Sequence, residues 1–283
     1  MTQGTPREGA TLAEPAAASV PAKGSPWAVT GNAFRTSIQR RQPLIGCWAS
    51  LSHPLTTEIL GYAGFDWLLV DGEHAPNDLQ TFIGQLMALK DSPTAPVVRP
   101  QCGEPIILKR LLDIGFRDFL LPMVETAEQA RALIAATRYP PQGIRGVGSA
   151  HRANKYGYAS NYFATANDNI SVMVQIESIK GLENVDRIAA VEGVDALFIG
   201  PSDLSWALGH NSPAHRDVQR AIERVIAAAS ASGKASGILA PIEEDARRYL
   251  TLGMTVVAVG GDVALLRNAA VDLCRRFKPE GGP

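Results

Sequence analysis

From Pro43 onward the chain alternates short, almost wholly apolar runs with longer segments of helical spacing. The apolar runs are Leu44–Ala49, Trp67–Asp71, Val97–Arg99, Asp118–Pro122, Ser171–Glu177, Asp195–Ile199, Ala235–Leu239 and Val256–Gly260. Parallel strands covered on both faces read this way, because neither face meets water. Between them, Pro54–Gly64 and Pro105–Gly115 open on proline and close on glycine, the asymmetry helices favour. Asp78–Lys90 follows Asn77, a residue able to cap it. Thr126–Arg138, Gly181–Val191, Arg216–Ser232, Ile242–Gly253 and Val263–Phe277 complete the helical set. Eight strands, each followed by a helix, predict an α/β fold of the closed (β/α)8 TIM-barrel type rather than an open doubly wound sheet.

Two stretches fall outside this alternation. Residues 1–30 are rich in Ala, Pro, Gly and Ser, lack the continuous apolar stretch of a signal peptide, and are expected to form a disordered tail. Residues 31–283 are then a single barrel domain. Tyr139–Ser160 holds prolines, glycines and basic residues and is expected to lie between strands four and five, on the return toward the catalytic face. A functional loop and a solvated basic loop or subunit contact fit it equally.

Composition narrows the functional classes. The 283 residues are 46% hydrophobic and 19% charged, with a formal net charge of −1. That charge gives no global field for nucleic acid or an anionic membrane. Cys47, Cys102 and Cys274 are widely separated, so neither a disulfide framework nor a thiolate zinc site is expected, and a reducing cytoplasmic setting fits. No apolar run approaches the roughly 20 residues that span a bilayer.

Candidate chemistry gathers where such barrels carry it, at the C-terminal ends of strands. Trp48 ends the first strand, and could wall a pocket or pack in the core. The second ends in DGEHAPND, with Asp71, Glu73 and His74; the third ends in Arg99. In VMVQIES, the period of two turns Met173, Gln175 and Glu177 inward and Val172, Val174 and Ile176 toward the helices. Asp203 follows the sixth strand in IGPSDLS. Glu177 and Asp203 make a hard-oxygen pair with open positions, suited to Mg²⁺ or Mn²⁺. Alone, Asp203 would read as a helix cap and Glu177 as an ion-pair partner of Arg99. His74 can move a proton near neutral pH with Asp71 orienting it, and Arg99 can fork onto a carboxylate or an enolate oxygen. His53, His151, His210 and His215 are expected to face solvent. No lysine falls within a predicted strand, which disfavours Schiff-base chemistry.

The stretches AGFDWLLVDGEHAPND, PVVRP, ATRYPPQGIRGVGSA, VQIES and VDALFIGPSDLS together resemble the HpcH/HpaI family of class II pyruvate aldolases, over nearly the whole chain after Gln42. The resemblance implies reversible cleavage of 4-hydroxy-2-oxo acids, such as 4-hydroxy-2-oxoheptanedioate, to pyruvate and an aldehyde, in aromatic or sugar-acid catabolism. It implies Mg²⁺, Mn²⁺ or Co²⁺ on Glu177 and Asp203, chelated by the carboxylate and keto oxygens of pyruvate. Arg99 then stabilises the enolate, His74 serves as the catalytic histidine, and Gln175 and Ser202 join Trp48 and Arg99 on the substrate. Asp113, in LLDIG, matches an aspartate that partners this histidine. It ends a helix on the opposite barrel face, so it could reach His74 only in another subunit of the hexamer that the resemblance implies. A CoA-ester lyase of the citrate lyase group shares barrel and metal but should lack DGEHAPND. A non-catalytic binding barrel has no reason to hold His74, Arg99, Glu177 and Asp203 at one mouth.

Overall fold

The computed structural model describes residues 27–278. Helix α1 (Ala33–Gln39) leads into β1 (Leu44–Ala49), α2 (Pro54–Gly61), β2 (Trp67–Asp71), α3 (Leu79–Ala88), β3 (Ala95–Arg99), α4 (Pro105–Ile114), β4 (Asp118–Leu121) and α5 (Ala127–Thr137). An irregular stretch containing α6 (Tyr162–Thr165) precedes β5 (Ser171–Ile176), α7 (Ile179–Glu183), α8 (Val185–Ala189), β6 (Ala196–Ile199), α9 (Pro201–Ala207), α10 (Arg216–Ala231), β7 (Ala235–Leu239), α11 (Glu243–Thr251), β8 (Val256–Gly261) and α12 (Asp262–Phe277). The eight strands close in sequence order, every neighbour parallel, giving the expected (β/α)8 barrel.

The alternation of the strands divides the core in two. Val172, Val174 and Ile176 join Val70, Val98, Leu121 and Leu197 in the layer between strands and helices. Met173 joins Trp67, Leu69, Val97, Leu120, Phe198 and Val256 inside the barrel. Each fully buried Leu, Val or Phe of this kind contributes roughly 1.5–3 kcal/mol. Trp67 is the largest fully buried side chain among the described residues, and it fits because Gly46 faces it: a Cβ there would lie 2.1 Å from Trp67 Cε2. Trp48, Trp67 and Phe198 meet at centroid distances of 5.9–6.2 Å and form an aromatic floor. Beneath it, α1 closes the N-terminal end with Phe34, 6.3 Å from Trp67, and Ile38.

Several expectations shift. Asp78 rather than Asn77 caps α3, sharing a reciprocal box with Thr81. Asn77 instead turns inward and donates to Asp71 O at 2.6 Å. The helix expected over Gly181–Val191 breaks at Asn184 into α7 and α8. The basic stretch after α5 packs at the N-terminal barrel end, not toward the catalytic face, because a helix-to-strand connection returns to the strand's beginning. There Arg152 Nη1 donates to Ile114 O and Arg145 Nη2 to Asp113 Oδ1, each at 2.7 Å, at the end of α4, and below them Asn32 Nδ2 donates to Asp118 Oδ1 at 2.7 Å. Most of the expected tail lies outside the described residues. Residues 27–30 contribute contacts: Val29 N donates to Asn161 Oδ1 at 2.9 Å. Among the described residues, no helix is long and apolar enough to cross a membrane.

Candidate active site

Strand register builds the mouth. Asp71 and Arg99 are direct partners at the last step of the β2–β3 ladder. Arg99 donates to Asp71 through Nε at 2.9 Å and Nη2 at 2.8 Å, and its Nη1 lies 3.0 Å from Glu73 Oε2. Burial opposes the Arg99 charge, but the carboxylates of Asp71, Glu73 and Glu177 outweigh it and push the pKa up. The pair is nearly inaccessible, with 8% and 3% side-chain exposure. Removing one partner of such a pair typically costs 3–5 kcal/mol. A guanidinium has five N–H donors; these contacts engage three and leave two. The Arg99 guanidinium also lies 5.7 Å from the Trp48 ring, so Trp48 is at once floor and neighbour of the charge.

Across the mouth, Met173 and Gln175 pair with Ala196 and Phe198, so Glu177 comes level with Gly200 one step beyond the ladder. Glu177 is 4% exposed. Its Oε1 accepts Met123 N at 2.7 Å, and its Oε2 accepts from Gln175 Nε2 in a short contact. Met123 has φ of 52°, a left-handed conformation that turns its N–H onto this carboxylate. Non-glycine residues held there cost of order 1–3 kcal/mol and cluster at functional sites. Burial pushes the Glu177 carboxyl up; the Met123 and Gln175 donors pull it down, and the charges of Glu73 and Asp203 raise it again. Glu73 is likewise raised by burial against the pull of Arg99 and His74.

Asp203 sits in the first turn of α9, whose N-cap is Gly200 with no side-chain cap bond, so the cap reading of Asp203 fails. The alternative reading of Glu177 fails too, since Arg99 pairs with Asp71 and Glu73. Glu73, Glu177 and Asp203 thus share one electrostatic neighbourhood, the first two raised by burial and, among other charges, by that of Asp203. Gln175 Oε1 is buried without a partner. A hard divalent cation would relieve the repulsion, so this oxygen-rich donor set fits the metal that the family resemblance implies. Ser202, beside Asp203, is exposed on the same turn.

His74 lies at the rim with 67% side-chain exposure, its Nε2 3.8 Å from Glu73 Oε2. Asp71 does not orient the imidazole. Its Oδ1 accepts the backbone N–H of Glu73 at 3.0 Å and of His74 at 3.5 Å, while its carboxylate serves Arg99. Asp113 is not brought to this mouth; it pairs with Arg145 at 2.7 Å and lies 3.7 Å from His151 Nε2. His151, with 10% side-chain exposure, is not the solvent-facing residue expected. Met123, Gly200 and Asp262, which sequence reasoning did not name, join the site, and Glu73, named there only as a neighbour of His74, becomes a partner of Arg99. Asp262 pins the β1–α2 rim by accepting from Ser50 N and Leu51 N at 2.9 and 3.0 Å. Lys180 pairs with Glu125, and Lys234 with the backbone carbonyl of Val191.

A family model described as HpcH/HpaI aldolase/citrate lyase matches residues 44–269. A 5-keto-4-deoxy-D-glucarate aldolase of Shigella dysenteriae is 59% identical over 248 residues, covering 87% of this chain and 97% of that protein. The crystal structure of an HpcH/HpaI aldolase/citrate lyase family protein from Burkholderia cenocepacia superimposes with TM-score 0.85 at 40% identity, covering 87% of this chain and 99% of the other. More distantly, a citrate lyase beta subunit of M. tuberculosis, complexed with oxaloacetate and magnesium, matches with TM-score 0.54 at 21% identity over 78% of this chain and 92% of the other. That last likeness is one of fold.

Proposed function

Because the chain belongs to the HpcH/HpaI aldolase/citrate lyase family, we propose that its mouth cleaves 5-keto-4-deoxy-D-glucarate, a six-carbon 4-hydroxy-2-oxo diacid. The observation that carries this reading is Arg99, locked between Asp71 and Glu73 and facing the buried Glu177 across one mouth. The relative's activity favours this substrate over 4-hydroxy-2-oxoheptanedioate and favours an aldolase over a CoA-ester lyase.

The C3–C4 bond breaks. The proton of the C4 hydroxyl leaves, and C4 becomes the aldehyde carbon of a three-carbon hydroxy-aldehyde acid. The electron pair of the broken bond becomes the enolate of pyruvate, which a proton at C3 converts to pyruvate. Glu177 and Asp203 would hold a divalent cation, which would supply Lewis-acid polarisation of the 2-oxo group. The two remaining N–H donors of Arg99 hold the developing enolate oxygen, a role commonly worth about 3–4 kcal/mol. Gln175 orients Glu177 and presents its unpartnered Oε1 to the site. Ser202 and Trp48 line the substrate side. His74 accepts the C4 hydroxyl proton, directly or through a water, and Glu73 supports the charge it gains.

The same reading extends to assembly. Along α12, Leu265, Leu266, Leu273 and Phe277 are exposed, Phe277 at 80%. We assign their cover to further copies of this chain, in the hexamer that the resemblance implies, with Asp113 reaching His74 of another copy. Light scattering of the purified chain gives the mass. For activity, cleavage of 5-keto-4-deoxy-D-glucarate and of 4-hydroxy-2-oxoheptanedioate is compared with Mg²⁺, Mn²⁺ or Co²⁺ present. Faster release of pyruvate from the former is expected. No pyruvate from either compound with any of the three ions overturns the reading.

A further inference from the structure

Three metal-type side chains meet at the start of α10, outside the mouth. His210 and His215 stack with ring centroids 3.5 Å apart and planes 18° from parallel. His210 Nε2 lies 3.4 Å, and His215 Nδ1 3.7 Å, from the same oxygen, Oδ2 of Asp217. One ligand-type atom from each residue lies within 4.8 Å of the other two. His215 Nδ1 accepts the backbone N–H of Asp217 at 3.2 Å and therefore carries no proton. Its lone pair is taken by the cap hydrogen bond and lies beside the Asp217 carboxylate, so it is offered to a cation only when the ring turns off the helix end. In a tetrahedral zinc site, bonds of about 2.0–2.2 Å set neighbouring ligand atoms roughly 3.3 Å apart. The two distances to Asp217 are close to that edge. The other Asp217 oxygen faces Arg220 at 3.7 Å and leaves Oδ2 for the ion. The rings must open to turn both lone pairs inward, and side-chain exposures of 25% and 44% leave them free to do so.

We propose that His210, His215 and Asp217 form a second metal site, selective for a borderline transition-metal ion such as Zn²⁺ and separate from the hard-oxygen pair at the mouth. Two imidazoles and one carboxylate prefer Zn²⁺, Ni²⁺ or Cu²⁺ to Mg²⁺, and water fills the fourth position. His210 N donates to Ser205 O at 2.8 Å at the end of α9, and His215 stands at the N-cap of α10. The ion therefore clips the end of α9 to the start of α10. The site is independent of what the mouth catalyses.

The test is equilibrium dialysis of Zn²⁺ against the full chain carrying Glu177→Ala and Asp203→Ala, which silences the mouth. One Zn²⁺ per chain should remain, and His210→Ala or His215→Ala added to that background should weaken its binding at least tenfold. Co²⁺ in its place should give the visible absorption of a four-coordinate ion, lost in the same variants. In the same mouth-silenced background, Zn²⁺ should raise Tm, and His210→Ala should abolish the rise while leaving the circular dichroism spectrum unchanged. Should His215→Ala lose its fold with the cap, His210→Ala and His210→Gln carry the comparison. Zn²⁺ binding that disappears with Glu177 and Asp203 alone, or that persists undiminished in the His210 variants, overturns the proposal.

Discussion

Replacing Gly200 with alanine perturbs the mouth without removing any functional group. Gly200 has φ of −89°, which alanine adopts freely, so the backbone does not resist the change. Its added Cβ would lie 2.3 Å from Glu177 Oε2, 2.8 Å from Gln175 Nε2 and 2.9 Å from Glu177 Cβ. To regain ordinary van der Waals contact, the carboxylate must retreat by about 1 Å. It is held by Met123 N and Gln175, so the retreat loosens both donors. Disturbing the groups that orient a metal ligand typically costs 10–100-fold in affinity, or about 1.4–2.8 kcal/mol. Gly200→Ala should therefore weaken Mn²⁺ binding by that factor, measured by titration calorimetry, and slow deuterium uptake into pyruvate C3 in parallel at subsaturating metal. Excess Mn²⁺ should recover much of the exchange. Gly31→Ala is the control, since its Cβ meets nothing within 4 Å. Wild-type Mn²⁺ affinity in Gly200→Ala would refute the assignment of Glu177 as a ligand.

Three further outcomes follow from the same geometry. EDTA should abolish cleavage, with Mg²⁺, Mn²⁺ or Co²⁺ restoring it; full activity after chelation, or borohydride trapping of substrate on the protein, contradicts this. Arg99→Ala should suppress both cleavage and C3 exchange and lose stability by the 3–5 kcal/mol expected for a stranded Asp71, whereas His74→Ala should slow cleavage 10²–10⁴-fold and flatten its pH profile near neutrality; normal exchange in Arg99→Ala would return that residue to a structural role. Burial pushes the Asp118 carboxyl up to about 6 against its bond from Asn32, so its contribution to stability is greatest below about pH 4 and is lost as pH rises through 6, on the order of 3 kcal/mol; Asp118→Asn should remove that slope from urea midpoints measured between pH 4 and 8, and an unchanged slope counts against it.

The barrel was legible because its strands are apolar on both faces, and the inward turn of Met173 and Gln175 follows from period two alone. Residue identity could not say which carboxylate serves which cation. Asp71 and Glu73 lie on either side of Gly72, and only the register with Arg99 places both on the guanidinium and leaves Glu73 beside His74. Taken alone Asp203 reads as a cap, and only the fold shows Gly200 in that place. Met123 acts through its backbone and Gly200 through the absence of a side chain, and neither leaves a polar signature to read. His151 departs from the solvent-facing expectation because its cover comes from a segment the local pattern does not reveal, the Tyr162 ring.

The closed bottom of the barrel constrains the order of events. Phe34, Trp67 and Phe198 leave no passage below the site, so every molecule enters and departs past the rim where His74 stands. Glu177 lies deep and His74 lies near solvent, so the fragment nearest the rim must go first. On the proposed seating of pyruvate at Glu177, the aldehyde leaves ahead of pyruvate, and in the condensing direction pyruvate binds before it. Steady-state kinetics would register this as a sequence with one compulsory order: pyruvate competes with the hydroxy-oxo acid for the empty enzyme, whereas the aldehyde inhibits in a mixed pattern that saturating substrate does not erase.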